Sequence, residues 1–285
     1  MGKIQIGGYR NYVHLDSFDL IRKRNDEEYH KFIVSIDDNG KEIYYSTNVS
    51  KNESTYYKIV SFNRSVIQKY YEHPNLYKVE DGEISKKGSW HMRIDNNNLD
   101  VVKVYLGDLG RLDRSEQSHW LAHNIVSFSG LSNVQYKRDV LAIPFLEPEM
   151  SDLIFRHYYS RLHNLFTKHF GFSVLKPLHK QDQAYLDTIR VPLSEDLHEF
   201  EKIILNLSKV LCDSIDIKSI NKYLDKNLTN KIEALGLFTK LKLIEDNDFV
   251  SSLRKIQLIR SKSIAHNKDE GYDYLLGNLR YSEHT

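Results

Sequence analysis

The sequence predicts an α+β fold, in which a β-rich N-terminal domain is followed by a C-terminal α-helical bundle. Short β-branched and aromatic segments separated by turn residues fill the stretch from about Lys31 to Leu109. Beyond it, apolar residues recur at three-and-four spacing, the period of a helix with one buried face. Gly and Pro number only 13 and 5 among 285 residues, too few for long low-complexity stretches.

The elements follow in order. Lys31–Ile36 and Glu42–Ser46 read as strands joined across Asp37-Asp38-Asn39-Gly40, whose Asn-Gly pair is a hairpin signal. Tyr56–Phe62, Tyr77–Glu80, Ser89–Ile94 and Val101–Leu106 read as further strands, and Ser65–Tyr71 as a short helix stopped by Pro74. Tyrosine is frequent here; a half-buried sheet is the simpler reading and a base-stacking platform the alternative. Ser115–Asn124 starts a helix, and Ser151–Phe170 is a longer one closed by Gly171. Pro177–Pro192 marks a boundary, after which Ser194-Glu195-Asp196 opens a helix expected to run to about Ile215. Its apolar face is Phe200, Ile203, Ile204, Leu207, Leu211 and Ile215. Leu228–Leu243, Phe249–Ala265 and a short Tyr272–Leu279 complete the helical part. The domains expected are residues 1–125, a β-rich recognition or sensor domain, residues 126–193, a helical connector, and residues 194–285, the helical bundle.

Composition narrows the function. With 40 Lys+Arg against 39 Asp+Glu, the net charge is +1, so a polyanion must be met by a local patch rather than a global basic surface. The single cysteine, Cys212, rules out an internal disulfide and a multi-cysteine zinc site and fits a reducing, cytoplasmic setting. No apolar run is long enough to span a bilayer, and no signal peptide is visible; Gln5 and Ile6 fit a myristoylation signal poorly. A membrane role is not expected.

A local basic patch does exist. Ser251–Lys268 holds Arg254, Lys255, Arg260, Lys262 and Lys268 and no acid, and Leu253, Ile256 and Ile259 are spaced to face a core. Within it, Arg260-Ser-Lys-Ser-Ile-Ala-His266 resembles the active motif of the HEPN ribonucleases, an arginine and a histidine with four to six residues between them, after a Leu/Ile-rich helix. The resemblance covers the last third of the chain. Where active members often carry Asn, Asp or His after the arginine, this chain has Ser261.

What the resemblance implies is a metal-independent endoribonuclease with no cofactor. It would act on RNA as a homodimer, leaving a 2′,3′-cyclic phosphate and a 5′-hydroxyl. A toxin or anti-phage defence effector is implied, with an antitoxin or defence-system partner protein. Arg260 and His266 would be catalytic, the histidine moving protons near neutral pH and the arginine meeting charge that grows on the phosphate. Arg254, Ser261, Lys262, Asn267 and Lys268 would bind RNA phosphate, with Asn267 alternatively ending the helix. Asp213 and Ser214 either sit beside the pair or serve as caps or solvated groups. Residues six apart on a straight helix point roughly 120° away from each other. The pair therefore needs a bend near Ser261–Ser263 or a second chain across a two-fold axis.

Two other readings stand beside this one. In the first, the HEPN-like bundle is a catalytically silent dimerisation or docking module in a larger defence complex. In the second, activity lies between Asp108 and His123. There Gly107 and Gly110 could bring backbone N–H groups to a phosphate or simply make a turn, and His119 and His123 stand one helical turn apart, as metal ligands can. No metal is expected, because no third ligand is evident. His157, His163 and His169 do not share a face and read as surface histidines.

Overall fold

The computed structural model describes residues 29–243 and 247–265. His266, Asn267, Lys268 and the helix expected over Tyr272–Leu279 lie outside them.

The N-terminal half is built of antiparallel pairs. Strands β1 (Lys31–Ile36) and β2 (Glu42–Ser46) form the expected hairpin, in which Gly40 takes a φ of +80° and Asp37 accepts the Asn39 and Lys41 amides. Strand β3 (Ile59–Asn63) runs on through a 3₁₀ turn, Arg64–Ile67, into helix α1 (Gln68–Glu72). A meander of β4 (Tyr77–Glu80), β5 (Glu83–Lys86) and β6 (His91–Arg93) follows. Strand β7 (Val101–Tyr105) leads directly into α2 (Leu106–Leu109), then α3 (Arg114–Leu121) and β8 (Asn124–Ile125). The second sheet is ordered β7-β3-β8. Phe32, Phe62 and Trp120 meet edge to face at its centre, with ring centroids 5.8 and 4.7 Å apart. Asn124 ties the hairpin to this sheet, accepting the Ile33 amide and donating to the Ile33 and Ser61 carbonyls.

The helical half begins with α4 (Asn133–Asp139) and α5 (Ser151–Phe170), which ends at Gly171 in the left-handed conformation, φ +76°. After α6 (Gln183–Asp187), helix α7 (Leu197–Leu207) starts at Asp196, whose side chain accepts the His198 amide. The chain then winds as a π turn over Ser208–Asp213 rather than continuing as a regular α-helix to Ile215. Helices α8 (Ile217–Leu224), α9 (Lys231–Lys242) and α10 (Asn247–Ala265) complete the bundle around Phe238, Leu235 and Leu253. The fold is α+β, strands first and helices after.

Tyr71 of α1 joins the two halves. The guanidinium of Arg190 lies over its ring at 4.9 Å and that of Arg156 at 5.7 Å. Arg156 also donates to the Val79 carbonyl at 2.7 Å, so α5 grips both α1 and β4. Arg190 in turn donates to Glu199 of α7 at 2.6 Å, both side chains being buried. Among the described residues, no helix is long and apolar enough to cross a membrane.

Candidate active site

Arg260 lies in the C-terminal half of α10, directly after Ile259, which is buried against Ile204 of α7. That register turns Arg260 towards the π turn. Its Nη1 donates to both carboxylate oxygens of Asp213, at 3.0 and 2.9 Å, and to the Ser208 hydroxyl at 2.9 Å. Ser208 is fully buried, while the Arg260 and Asp213 side chains keep 32% and 47% of their exposure. The guanidinium is thus anchored from below and open to solvent from above.

The π turn explains why two residues of one segment reach the same nitrogen. On an α-helix, side chains five apart stand roughly 140° from each other, whereas a π turn closes its hydrogen bonds five residues on and brings them onto one face. Ser208 and Asp213 are five apart. Cys212, between them in sequence, points into the core; burial raises its thiol pKa, with the Ser208 hydrogen bond opposing. Lys231, the first residue of α9, donates to the Asp213 carbonyl at 2.5 Å and adds a second cation to the cluster. Ser208 and Lys231 were not singled out by the motif. Lys231 carries only the general signal of a cation at a helix start, and nothing in the sequence marks Ser208.

The other sequence-derived candidates divide between two faces. Arg254 and Ser261 are exposed and, seven residues apart, share one side of α10, away from the π turn. The Ser261 hydroxyl is turned back to the Leu258 carbonyl at 2.9 Å. Lys262 is half-buried. Ser214 lies beneath the site, donating to the Val210 carbonyl, and does not reach Arg260. The window that is free of acids in sequence gains one in space, since Asp213 comes from 47 residues away. Helix α10 remains helical through Ser261–Ser263 to Ala265, so no break in winding redirects the chain before residue 266.

The Asp108–His123 region is occupied by its own packing. A Cβ on Gly107 would fall 1.9 Å from the Tyr56 ring, and one on Gly110 would fall 2.2 Å from the Thr47 carbonyl oxygen. The approach these glycines permit is that of Tyr56 and Thr47. Tyr56 also donates to Asp108 at 2.6 Å, and the chain here forms a 3₁₀ turn at Ser54–Tyr57 in place of the expected strand start. His119 engages the Val66 carbonyl through Nε2 at 2.8 Å, and His123 engages the His119 carbonyl through Nδ1 at 3.0 Å. Glu116 accepts from Lys69, Tyr70 and Tyr77, each at 2.9 Å. No cluster of three or more metal-ligating side chains occurs among the described residues.

No protein-family model, no curated protein and no solved structure matches this chain.

Proposed function

We propose that this protein is a metal-independent endoribonuclease of the HEPN type, acting as a homodimer, with Arg260 and His266 as its catalytic pair. The observation that carries the reading is the anchoring of Arg260 by Asp213 and Ser208 across the π turn. An arginine fixed at one nitrogen keeps its remaining N–H donors in a defined plane, which suits the non-bridging oxygens of a phosphate. Because it is already held, little ordering cost falls on the reaction.

In the proposed step, the 2′-hydroxyl oxygen of a ribose attacks the adjacent phosphorus and the bond to the 5′-oxygen breaks. A neutral His266 takes the 2′-proton and a protonated His266 gives one to the departing 5′-oxygen. One histidine cannot hold both states at once, so two chains facing each other supply base and acid. The uninterrupted winding of α10 past Ser261–Ser263 favours this arrangement over a bend within one chain. Arg254, Lys262 and Lys231 are cations within the same helical region that would steer the RNA backbone, with Asn267 and Lys268 following the histidine. A defence or toxin role with a partner protein belongs to the same proposal and rests on the resemblance.

The test is incubation of purified protein with total RNA in EDTA, alongside Arg260→Ala and His266→Ala. Cleavage that survives the chelator and is lost in both variants supports the enzyme. A stable wild-type dimer that cuts nothing supports a silent docking module instead. Cleavage that needs a metal and ignores His266 moves the chemistry elsewhere.

A further inference from the structure

Between α5 and the α9–α10 hairpin lies an open groove of about 490 Å³. Phe155, Tyr159 and Leu162 of α5 form one wall, and Leu235, Leu243 and Leu253 of the hairpin form the other. Thr239 and the tyrosine hydroxyls are its few polar groups, and Leu243 on the rim is 47% exposed. Water in such a lining lacks hydrogen-bond partners, so an apolar occupant is favoured.

We propose that the occupant is the C-terminal segment of this same chain, residues 272–281, docked as a short amphipathic helix. Tyr272, Leu275, Leu276 and Leu279 stand at the spacing that puts four apolar side chains on one helical face. That face is about 10 Å long, and the Leu235–Leu243 wall about 12 Å, at the helical rise per residue. The tether fits as well. Ala265 stands twelve residues beyond Leu253 on α10, about 18 Å away along the axis, and the seven Cα steps from Ala265 to Tyr272 span up to about 24 Å. A tether of that length gives the segment a high effective concentration at the groove, which a separate peptide lacks. Docking also fixes the path of the chain as it leaves α10. None of this depends on the ribonuclease reading, and its test does not involve RNA.

The full-length chain carrying Thr239→Cys and Leu276→Cys is treated with a short bis-maleimide; Cys212 is buried and stays as the native residue. The expected product is an intrachain link whose yield does not change on dilution. It should exceed by about tenfold or more the link formed by Lys41→Cys with Leu276→Cys, where the first site is beside the β1–β2 turn. In a second measurement, Leu275→Asp with Leu276→Asp should raise the fluorescence of an added apolar dye, anilinonaphthalene sulfonate, several-fold by opening the groove. Equal linking by the two cysteine pairs overturns the proposal. So does linking only between two chains, or dye fluorescence that the aspartates leave unchanged.

Discussion

Asp213 and Arg260 are 47 residues apart in sequence, yet one guanidinium nitrogen lies 2.9 and 3.0 Å from the two carboxylate oxygens. Both side chains are partly exposed, so the pair contributes little to folding, about 0–1 kcal/mol. Its value is positional. Asp213→Asn should leave the thermal midpoint almost unchanged and lower the cleavage rate about 10- to 100-fold, the scale of a misplaced catalytic group. Ser208→Ala should act in the same direction, with a stability loss of about 1 kcal/mol for the lost hydrogen bond. Single-turnover RNA cleavage beside thermal melts checks both. A variant that melts normally and cuts at the wild-type rate would show that the anchor is irrelevant.

The glycines after β7 are predicted to be packing residues. Gly107→Ala places a methyl into the Tyr56 ring, and Gly110→Ala places one against the Thr47 backbone oxygen. Tyr56 can shift, whereas a backbone carbonyl moves less easily. Urea unfolding should show losses of about 1–3 kcal/mol for Gly107→Ala and at least as much for Gly110→Ala. Wild-type stability in Gly110→Ala would contradict the close approach.

Arg190 and Glu199 form a buried pair at 2.6 Å, and Glu199 also accepts from the Leu193 and Ser194 amides and the Ser194 hydroxyl. Glu199→Ala leaves the Arg190 charge buried without its partner and should cost about 3–5 kcal/mol. Replacing both partners together with apolar residues of similar volume should cost less than the single change. Denaturant titrations of the two variants decide the matter.

Acid should destabilise the N-terminal half in two stages. Burial lowers the His119 pKa from 6.5, with Lys69 and His123 adding to the effect and the Val66 carbonyl opposing it. A depressed histidine favours the folded chain while it is neutral, so its contribution is present above 6.5 and lost as pH falls towards the lower folded value. Burial pushes Glu116 upward, yet the hydrogen bonds from Lys69, Tyr70 and Tyr77 outweigh it and hold the carboxyl below 4.5. Its contribution is therefore present above 4.5 and lost as pH falls through its folded value. Trp90 and Trp120 both report on this half, and their fluorescence melts should show the midpoint falling below 6.5 and falling further below 4.5. His119→Asn should weaken the first stage, which His30 shares through its own lowered pKa, and Glu116→Gln should weaken the second, which Asp113 and Glu53 share. Tyr77, pushed up to about 12 by burial and by Glu116, stays protonated throughout.

Local chemistry that acts within a few residues was legible. Gly40 and Gly171 sit in left-handed backbone where turn and cap rules place them, and Asp196 caps α7. Strand β5 was missed although Asp81-Gly82 precedes it, because Glu83–Lys86 carries a single apolar residue, Ile84, to the core. Helix α8 was also missed, although Ile217, Ile220 and Leu224 stand at helical spacing towards the core and Asp216 caps it through the Ser219 amide, so here the sequence did carry the signal. The π turn was illegible in a stronger sense. Ser208–Asp213 continues the apolar period of α7, so nothing in that period separates a π turn from a further α-helical turn. Arg260 was therefore visible as a motif residue, while Ser208 depended on tertiary structure.

The most direct test uses an RNA with one efficient cleavage site, cut in EDTA by wild type and by His266→Ala, with the ribose 5′ to the scissile phosphate either normal or 2′-deoxy. The account predicts a 2′,3′-cyclic phosphate and a 5′-hydroxyl from the normal RNA with wild type only, and no cut at the deoxy position. Cleavage at the deoxy position, or equal cleavage by His266→Ala, would contradict it.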